Sequence, residues 1–164
     1  MVWLRRLLDT EVLKSENLRL EAIIAPRSLS LDQQRRIADA CRKFHGHAAS
    51  VVSYSTDAEA SGLASQIIVL HASDVPVADD IATVMPVGGF ETGVHVRAPN
   101  EEKDFASTIA DALSSIGHLD VAPPNDPLPT FNTLSSGGQH FKDPKLPFVT
   151  ITVGLKRVPI LPPK

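Results

Sequence analysis

The chain has 164 residues, which allows one domain with a short appendage. Its 16 basic and 19 acidic residues give a net charge of −3, so it lacks the excess positive charge by which proteins bind nucleic acid or anionic membranes without sequence preference. One cysteine, Cys41, excludes an intramolecular disulfide framework and a zinc site of four thiolates. We therefore expect no nucleic-acid partner from the charge balance. No apolar run is long enough for a signal peptide or a membrane span, so we expect a soluble, cytoplasmic chain.

Residues 1–25 are predicted to form a helical stub outside the main domain. The spacing of four, three and four positions that marks a coiled-coil seam occurs at Leu13, Asn17, Leu20 and Ile24. A buried amide at one seam position can fix register and oligomer state, so we expect a homo-oligomer formed through this helix. Because fewer than two heptads fit, a lone amphipathic helix packed on its own domain is the alternative. Pro26 is predicted to end the helix.

Residues 26–158 carry the signals of an α/β domain, followed by a tail at 159–164. The predicted helix starts are capping boxes at Ser30 with Gln33 and at Thr56 with Glu59, and a cap at Asn100. The predicted strands are 48–54, 81–87, 92–98 and 148–155, and 119–121 is a further candidate. The order from residue 48 onward is therefore β-α-β-β-α-β.

This order favours a two-layer, ferredoxin-like βαββαβ sandwich, preceded by the N-terminal helices. The segment Gly88-Gly89-Phe90-Glu91 is predicted to make a hairpin between the second and third strands. A doubly wound sheet is the rival. It would need residues 88–93 to be a parallel crossover, which usually takes a dozen or more residues.

Residues 122–147 form a proline-rich loop that also contains the pair Gly137-Gly138. A loop of this length without periodicity usually means function or disorder. One hypothesis is that the loop docks a partner, which a deletion of residues 125–145 would test.

The strand-to-helix turn at residues 53–59 is a candidate ligand site, because hydroxyls and amides at a helix start can hold a phosphate. The candidate ligand-binding residues are Ser53, Ser55, Thr56, Asp57, Gly88 and Gly89. Asp57 and Glu59 already place negative charge in the first helical turn, and the glycine fingerprints of nucleotide sites are absent. Ordinary capping is therefore the favoured interpretation of this turn.

Metal and catalytic interpretations are weaker. Cys41, His45 and His47 could offer metal ligands, but no fourth ligand lies nearby and Cys41 falls on an apolar stripe, which favours a buried thiol. No nucleophile elbow is present. We therefore assign no catalytic residue, no metal ligand and no cofactor.

Several segments together resemble the C-terminal α/β domain of a group of uncharacterised bacterial proteins. They are the Ala-Pro-Arg-Ser-Leu-Ser run at 25–30, Val-Val-Ser-Tyr-Ser at 51–55, Val-Gly-Gly-Phe at 87–90, Gly-Val-His-Val at 93–96 and Val-Gly-Leu-Lys at 153–156. The resemblance implies membrane segments and a longer coiled coil ahead of the domain, and it implies no reaction. This sequence departs from that pattern before residue 25. It would then be a truncated reading frame or a shortened member, whose membrane association depends on a missing N-terminal region.

The favoured hypothesis is a non-enzymatic sensing or protein-interaction module on a short helical stalk, with an unknown protein partner. The alternative is a small-molecule or nucleotide-binding domain, or an enzyme, that uses the turn from Ser53 to Glu59.

Overall fold

The structure is a computed structural model that describes residues 2–54, 56–77, 82–85, 91–123, 134–135 and 148–157. The chain divides into two compact units. One comprises Met1–Pro26 and Val158–Lys164, and the other is Arg27–Arg157.

The first unit contains helix α1, Val2–Ile24. Large apolar side chains are exposed along it, namely Val12, Leu13, Leu18, Leu20 and Ile24. Among the described residues, no helix combines the length and the apolar character needed to cross a membrane.

The second unit begins with α2, Leu31–Cys41, and the predicted capping box is confirmed. The Ser30 hydroxyl accepts a hydrogen bond from the Gln33 amide, and the Gln33 side chain accepts one from the Ser30 amide. A 3₁₀ turn, Arg42–Phe44, follows. Strand β1, Ala48–Tyr54, has the predicted bounds.

The next two helices begin later than predicted. Helix α3, Ala58–Ile67, is capped by Asp57 rather than by Thr56, because the extended Asp57 places Oδ1 2.9 Å from the Glu59 amide and 3.0 Å from the Ala60 amide. Helix α4, Lys103–Ser115, follows a 3₁₀ turn at Asn100–Glu102, so Asn100 does not cap it.

Five strands form one mixed sheet in the order β3-β5-β1-β2-β4. The remaining strands are β2 (Ala82–Met85), β3 (Val94–Arg97), β4 (Leu134–Ser135) and β5 (Phe148–Val153). Strand β1 is parallel to β2 and to β5, whereas β3 is antiparallel to β5 and β4 is antiparallel to β2. The chain therefore has the predicted mixed α/β class.

The predicted hairpin is wrong, and the ferredoxin-like arrangement is not confirmed. Strands β2 and β3 lie on opposite sides of the β5–β1 pair, so they do not pair with each other. Helix α3 is long enough to return the chain for a parallel β1–β2 pair, and β3 pairs instead with β5. The candidate strand at 119–121 makes only an isolated bridge between Val121 and Val94. Gly88, Gly89 and most of the loop 122–147 lie outside the described residues.

Helices α3 and α4 pack on one face of the sheet, where alternate strand residues point, and α2 packs against α4. The buried strand residues of this apolar face are Ala49, Val51, Val94, Val96, Val149, Ile151 and Val153. Buried helical side chains belong to the same core, namely Ile37 and Cys41 from α2, Leu63 and Ile67 from α3, and Phe105, Ile109 and Leu113 from α4.

Candidate functional site

The turn at 53–59 uses its polar groups for its own structure. Ser53 is buried, and its Oγ lies 3.3 Å from that of Ser61. The Asp57 side chain accepts hydrogen bonds from two of the first backbone amides of α3, and Thr56 is exposed. Ser55 lies outside the described residues, as do Gly88 and Gly89. The described part of the turn thus fits the capping interpretation better than a phosphate site.

The predicted seam lies on the exposed surface of α1. Leu13, Leu20 and Ile24 are 60%, 44% and 74% exposed, and Asn17 is also exposed. At 3.6 residues per turn, the four seam positions fall within an arc of roughly 60°. Within the described residues, this strip of helix is open to a partner.

Arg27, Glu59 and Gly154 form what we term the Arg27 clasp. The backbone amide and Nε of Arg27 donate to Glu59 Oε1 at 2.7 and 2.8 Å, and Nη2 donates to Oε2 at 2.5 Å. The same Nη2 donates to the Gly154 carbonyl at 2.7 Å. These hydrogen bonds and the positive charge lower the pKa of Glu59 below its ordinary value. The clasp joins the first residue of the second unit to α3 and to the end of β5.

A second network lies where β1 and β5 end and β3 begins. The Glu91 amide donates to the Tyr54 hydroxyl at 2.8 Å. The Glu91 carboxylate pairs with both terminal nitrogens of Arg97, at 3.2 Å from Nη1 and 2.5 Å from Nη2. Burial raises the pKa of Tyr54, and hydrogen bonding from the Glu91 amide partly opposes this effect.

Two glycines let the chain pass closely at this end of the sheet. A Cβ on Gly154 would lie 2.5 Å from the Glu91 carbonyl oxygen. Gly93 has a φ of +82°, a conformation that favours glycine. Backbone hydrogen bonds from Leu155 to Glu91 and from Gly154 to Gly93 then fix the segment that carries the Glu91 carboxylate.

Five of the sheet residues that alternate with the apolar face are polar, and we term this set the polar face: Ser50, His95, Arg97, Thr150 and Thr152. Val52 and Tyr54 of β1 lie in the same alternation and form a small apolar cluster with Leu155. Thr150 lies between Ser50 and Arg97 in the strand register, and its hydroxyl is 3.5 Å from that of Ser50. Ser50 is fully buried, and Thr152 and Arg97 are each 9% exposed. Buried polar groups of this kind normally need partners.

His95 makes two contacts through its ring nitrogens. Nε2 lies 3.0 Å from the Thr92 carbonyl oxygen, which can only accept, so Nε2 donates this hydrogen bond. Nδ1 lies 3.4 Å from Arg97 Nη2.

Arg97 Nε is buried and has no hydrogen-bond partner in the described part of the chain. The sequence of β3 alternates, which separates the apolar Val94 and Val96 from His95 and Arg97. The available signal was the matching alternation in β5, where Thr150 and Thr152 fall on the same side. Nothing in the sequence pairs Glu91 with Arg97.

Cys41 and His47, which were considered as metal ligands, both have other roles in the structure. Burial raises the pKa of Cys41 to about 11, although Lys43 acts to lower it, so the thiolate that binds metals is disfavoured. His47 Nδ1 lies 2.7 Å from the buried Glu102 carboxylate, and its ring contacts Phe44 and Phe105. Among described residues, no three His, Cys, Asp or Glu side chains are grouped to hold a metal ion.

Comparison with protein-family models, with curated proteins and with solved structures found no significant match to this chain. A functional proposal therefore depends on three features of the molecule. These are the exposed seam of α1, the Arg27 clasp and the polar face.

Proposed function

We propose that the chain is a non-enzymatic sensing or interaction module that pairs with a second copy of itself through α1. The observation that carries this proposal is the exposure of Leu13, Leu20 and Ile24 at coiled-coil spacing. Each buried leucine or isoleucine side chain contributes about 1.5–3 kcal/mol, so pairing two such strips is favourable. Asn17 within the strip would select the register, since a buried amide needs an amide opposite it.

Contacts at the start of the second unit support the stalk interpretation. Besides the Arg27 clasp, the Leu29 amide donates to the Gln66 side chain at 2.6 Å, and Gln34 donates to the Leu29 carbonyl at 2.9 Å. The folded domain therefore begins directly after Pro26, the last residue of the first unit before the boundary. A module presented by paired helices would need no long linker between the helix and its domain.

The test compares two double variants by light scattering across a range of protein concentrations. Leu13→Asp with Leu20→Asp places four carboxylates in the seam of a pair, and we expect a monomer. Val12→Asp with Leu18→Asp is the matched control, because these apolar residues are 58% and 66% exposed on α1 but lie off the seam. The control should keep the concentration-dependent dimer. The proposal would be contradicted if the wild-type chain were monomeric, or if light scattering gave the two double variants the same oligomeric state.

A small-molecule-binding domain is the second candidate, and the polar face is the observation that favours it. The turn at 53–59 gives it less support, because Asp57 already engages the amides there. A thermal-shift screen with nucleotides and divalent metals separates the candidates, since a ligand at 100 times its Kd adds about 2.7 kcal/mol to stability.

A further inference from the structure

The residue types along the seam of α1 define the kind of pair that the helix forms. The spacing of four, three and four positions assigns Leu13 and Leu20 to heptad position d. Asn17 and Ile24 then occupy position a, and all four side chains are exposed in the single chain. Leucine at d with a β-branched residue at a favours two parallel strands, and a single asparagine at a fixes their register. The seam therefore has the composition of a parallel, two-stranded coiled coil.

The two possible orientations of the pair differ in what Asn17 meets. In a parallel pair in register, each seam residue faces its own copy, so the two Asn17 side chains can hydrogen-bond to each other. An antiparallel pair that keeps the seams together places Asn17 against the partner's Leu20, and Leu13 against the partner's Ile24. It would bury two amides against apolar side chains, and a buried polar group without a partner is costly.

The charges beside the seam act in the opposite direction and are weaker. Position g holds Glu16, and position e holds Lys14 and Glu21. A parallel pair places Glu16 beside the partner's Glu21, because a g residue faces the e residue of the following heptad. An antiparallel pair instead places Lys14 beside the partner's Glu21. All three side chains are exposed, and exposed charge pairs contribute less than a buried amide does, so Asn17 decides the orientation.

We infer that the second copy binds α1 in a parallel arrangement and in register, with Asn17 against Asn17 and Glu16 beside the partner's Glu21. The inference rests on the proposed self-association and adds its geometry. Both chains then continue into the second unit from the same end of the helix pair, since Arg27 follows directly on Pro26. Repulsion between Glu16 and the partner's Glu21 makes the pair weaker than its seam alone would make it.

The first test places one cysteine in the seam and equilibrates the chain in a glutathione redox buffer. We expect Leu13→Cys to form a disulfide between two copies, because the two positions face each other across a parallel pair. Leu18→Cys is the matched control, since Leu18 is 66% exposed against 60% for Leu13 but lies off the seam. The native Cys41 is buried and should not react. An equal mixture of Leu13→Cys and Ile24→Cys chains tests the antiparallel pair, in which peptide mapping would find a disulfide joining positions 13 and 24.

The second measurement leaves the seam intact. In a parallel pair Glu21→Gln removes the repulsion from Glu16 on both sides of the seam, so it should lower the dimer Kd about two- to fivefold at low salt. In an antiparallel pair the same change removes an attraction to Lys14 and raises the Kd. Light scattering across a range of protein concentrations measures both values.

Three results would overturn the parallel arrangement. They are a disulfide joining positions 13 and 24, a Leu13→Cys disulfide no more abundant than that of Leu18→Cys, and a raised Kd for Glu21→Gln. Each of them is compatible with a dimeric wild-type chain. A monomeric wild-type chain instead contradicts the proposed function, so the two failures are distinguishable.

Discussion

The two faces of the sheet are formed by the same three strands, β1, β3 and β5, and different interactions stabilise each face. On the apolar face, Val96 and Ile151 lie opposite each other and pack against the helices. On the polar face, Arg97 and Thr150 lie opposite each other one residue further along. Packing on the first face depends on volume, whereas stability on the second depends on whether each polar atom keeps its partner. Substitutions should therefore fail for different reasons on the two faces.

The largest effect is expected from Glu91→Ala, which leaves the Arg97 charge buried without its partner. Side chains in this pair are 10% and 11% exposed, and breaking such a pair costs about 3–5 kcal/mol. Urea unfolding measures the loss. The double variant Glu91→Leu with Arg97→Met should lose less than Glu91→Ala, because no unpaired charge remains. A larger loss of stability in the double variant would show that the unpaired charge is not the main cause of the loss in Glu91→Ala.

On the apolar face, Ile151→Ala should lower the free energy of unfolding by about 2–5 kcal/mol, because it opens a cavity in a fully buried position. The matched variant Thr150→Val keeps the side-chain volume and removes one hydroxyl contact to Ser50. Its loss should stay within about 1.5 kcal/mol. Thermal unfolding of both variants measures the two losses of stability. Equal losses for Ile151→Ala and Thr150→Val would contradict the prediction.

A smaller effect, and one that depends on pH, is expected at the Arg27 clasp. The pKa of Glu59 is lowered in the folded protein from its ordinary value of 4.5, chiefly by the Arg27 side-chain hydrogen bonds. The clasp thus stabilises the fold fully above pH 4.5, and its contribution is lost as the pH falls through the folded-state pKa. Glu59→Gln should cost about 1–2 kcal/mol at pH 7. The difference from wild type should shrink as the pH falls below 4.5, and a constant difference would contradict this origin.

The smallest effect is a chemical one at Cys41, which packs with the apolar face. Its pKa of about 11 and its complete burial keep the thiol protonated and inaccessible. At pH 8 a disulfide reagent should leave the folded protein unmodified and react with one thiol in urea. Rapid reaction of the folded protein would place Cys41 at the surface.

Local signals predicted local structure well. Ser30 capped its helix as expected, and β1 has the predicted bounds, because a cap and a turn act within a few residues. At the start of α3, Thr56 and Asp57 are both good capping residues, and their order alone does not decide between them. Alternation in β3 and β5 assigned residues to faces. It could not choose strand neighbours, since any two strands with matching faces can pair.

The candidate site was harder to predict than the fold class. Arginine is almost never fully buried unless it is paired, so the sequence alone gives no reason to expect a buried Arg97. Its burial depends on Glu91, which is placed by Tyr54 from another strand. Such a constellation is created by tertiary structure and has no fixed spacing.

The position of β5 has a consequence for how the protein is made. It lies between β1 and β3, yet it is the last described strand to be synthesised. Ser50 and Thr150, neighbours across β1 and β5, are 100 residues apart in the chain. On the ribosome, β1 and β3 must wait for β5 before the sheet can close, and contacts this distant in sequence slow folding. Until then the valines of β3 lack the strand on which they pack, and a chaperone that shields them would act at this stage.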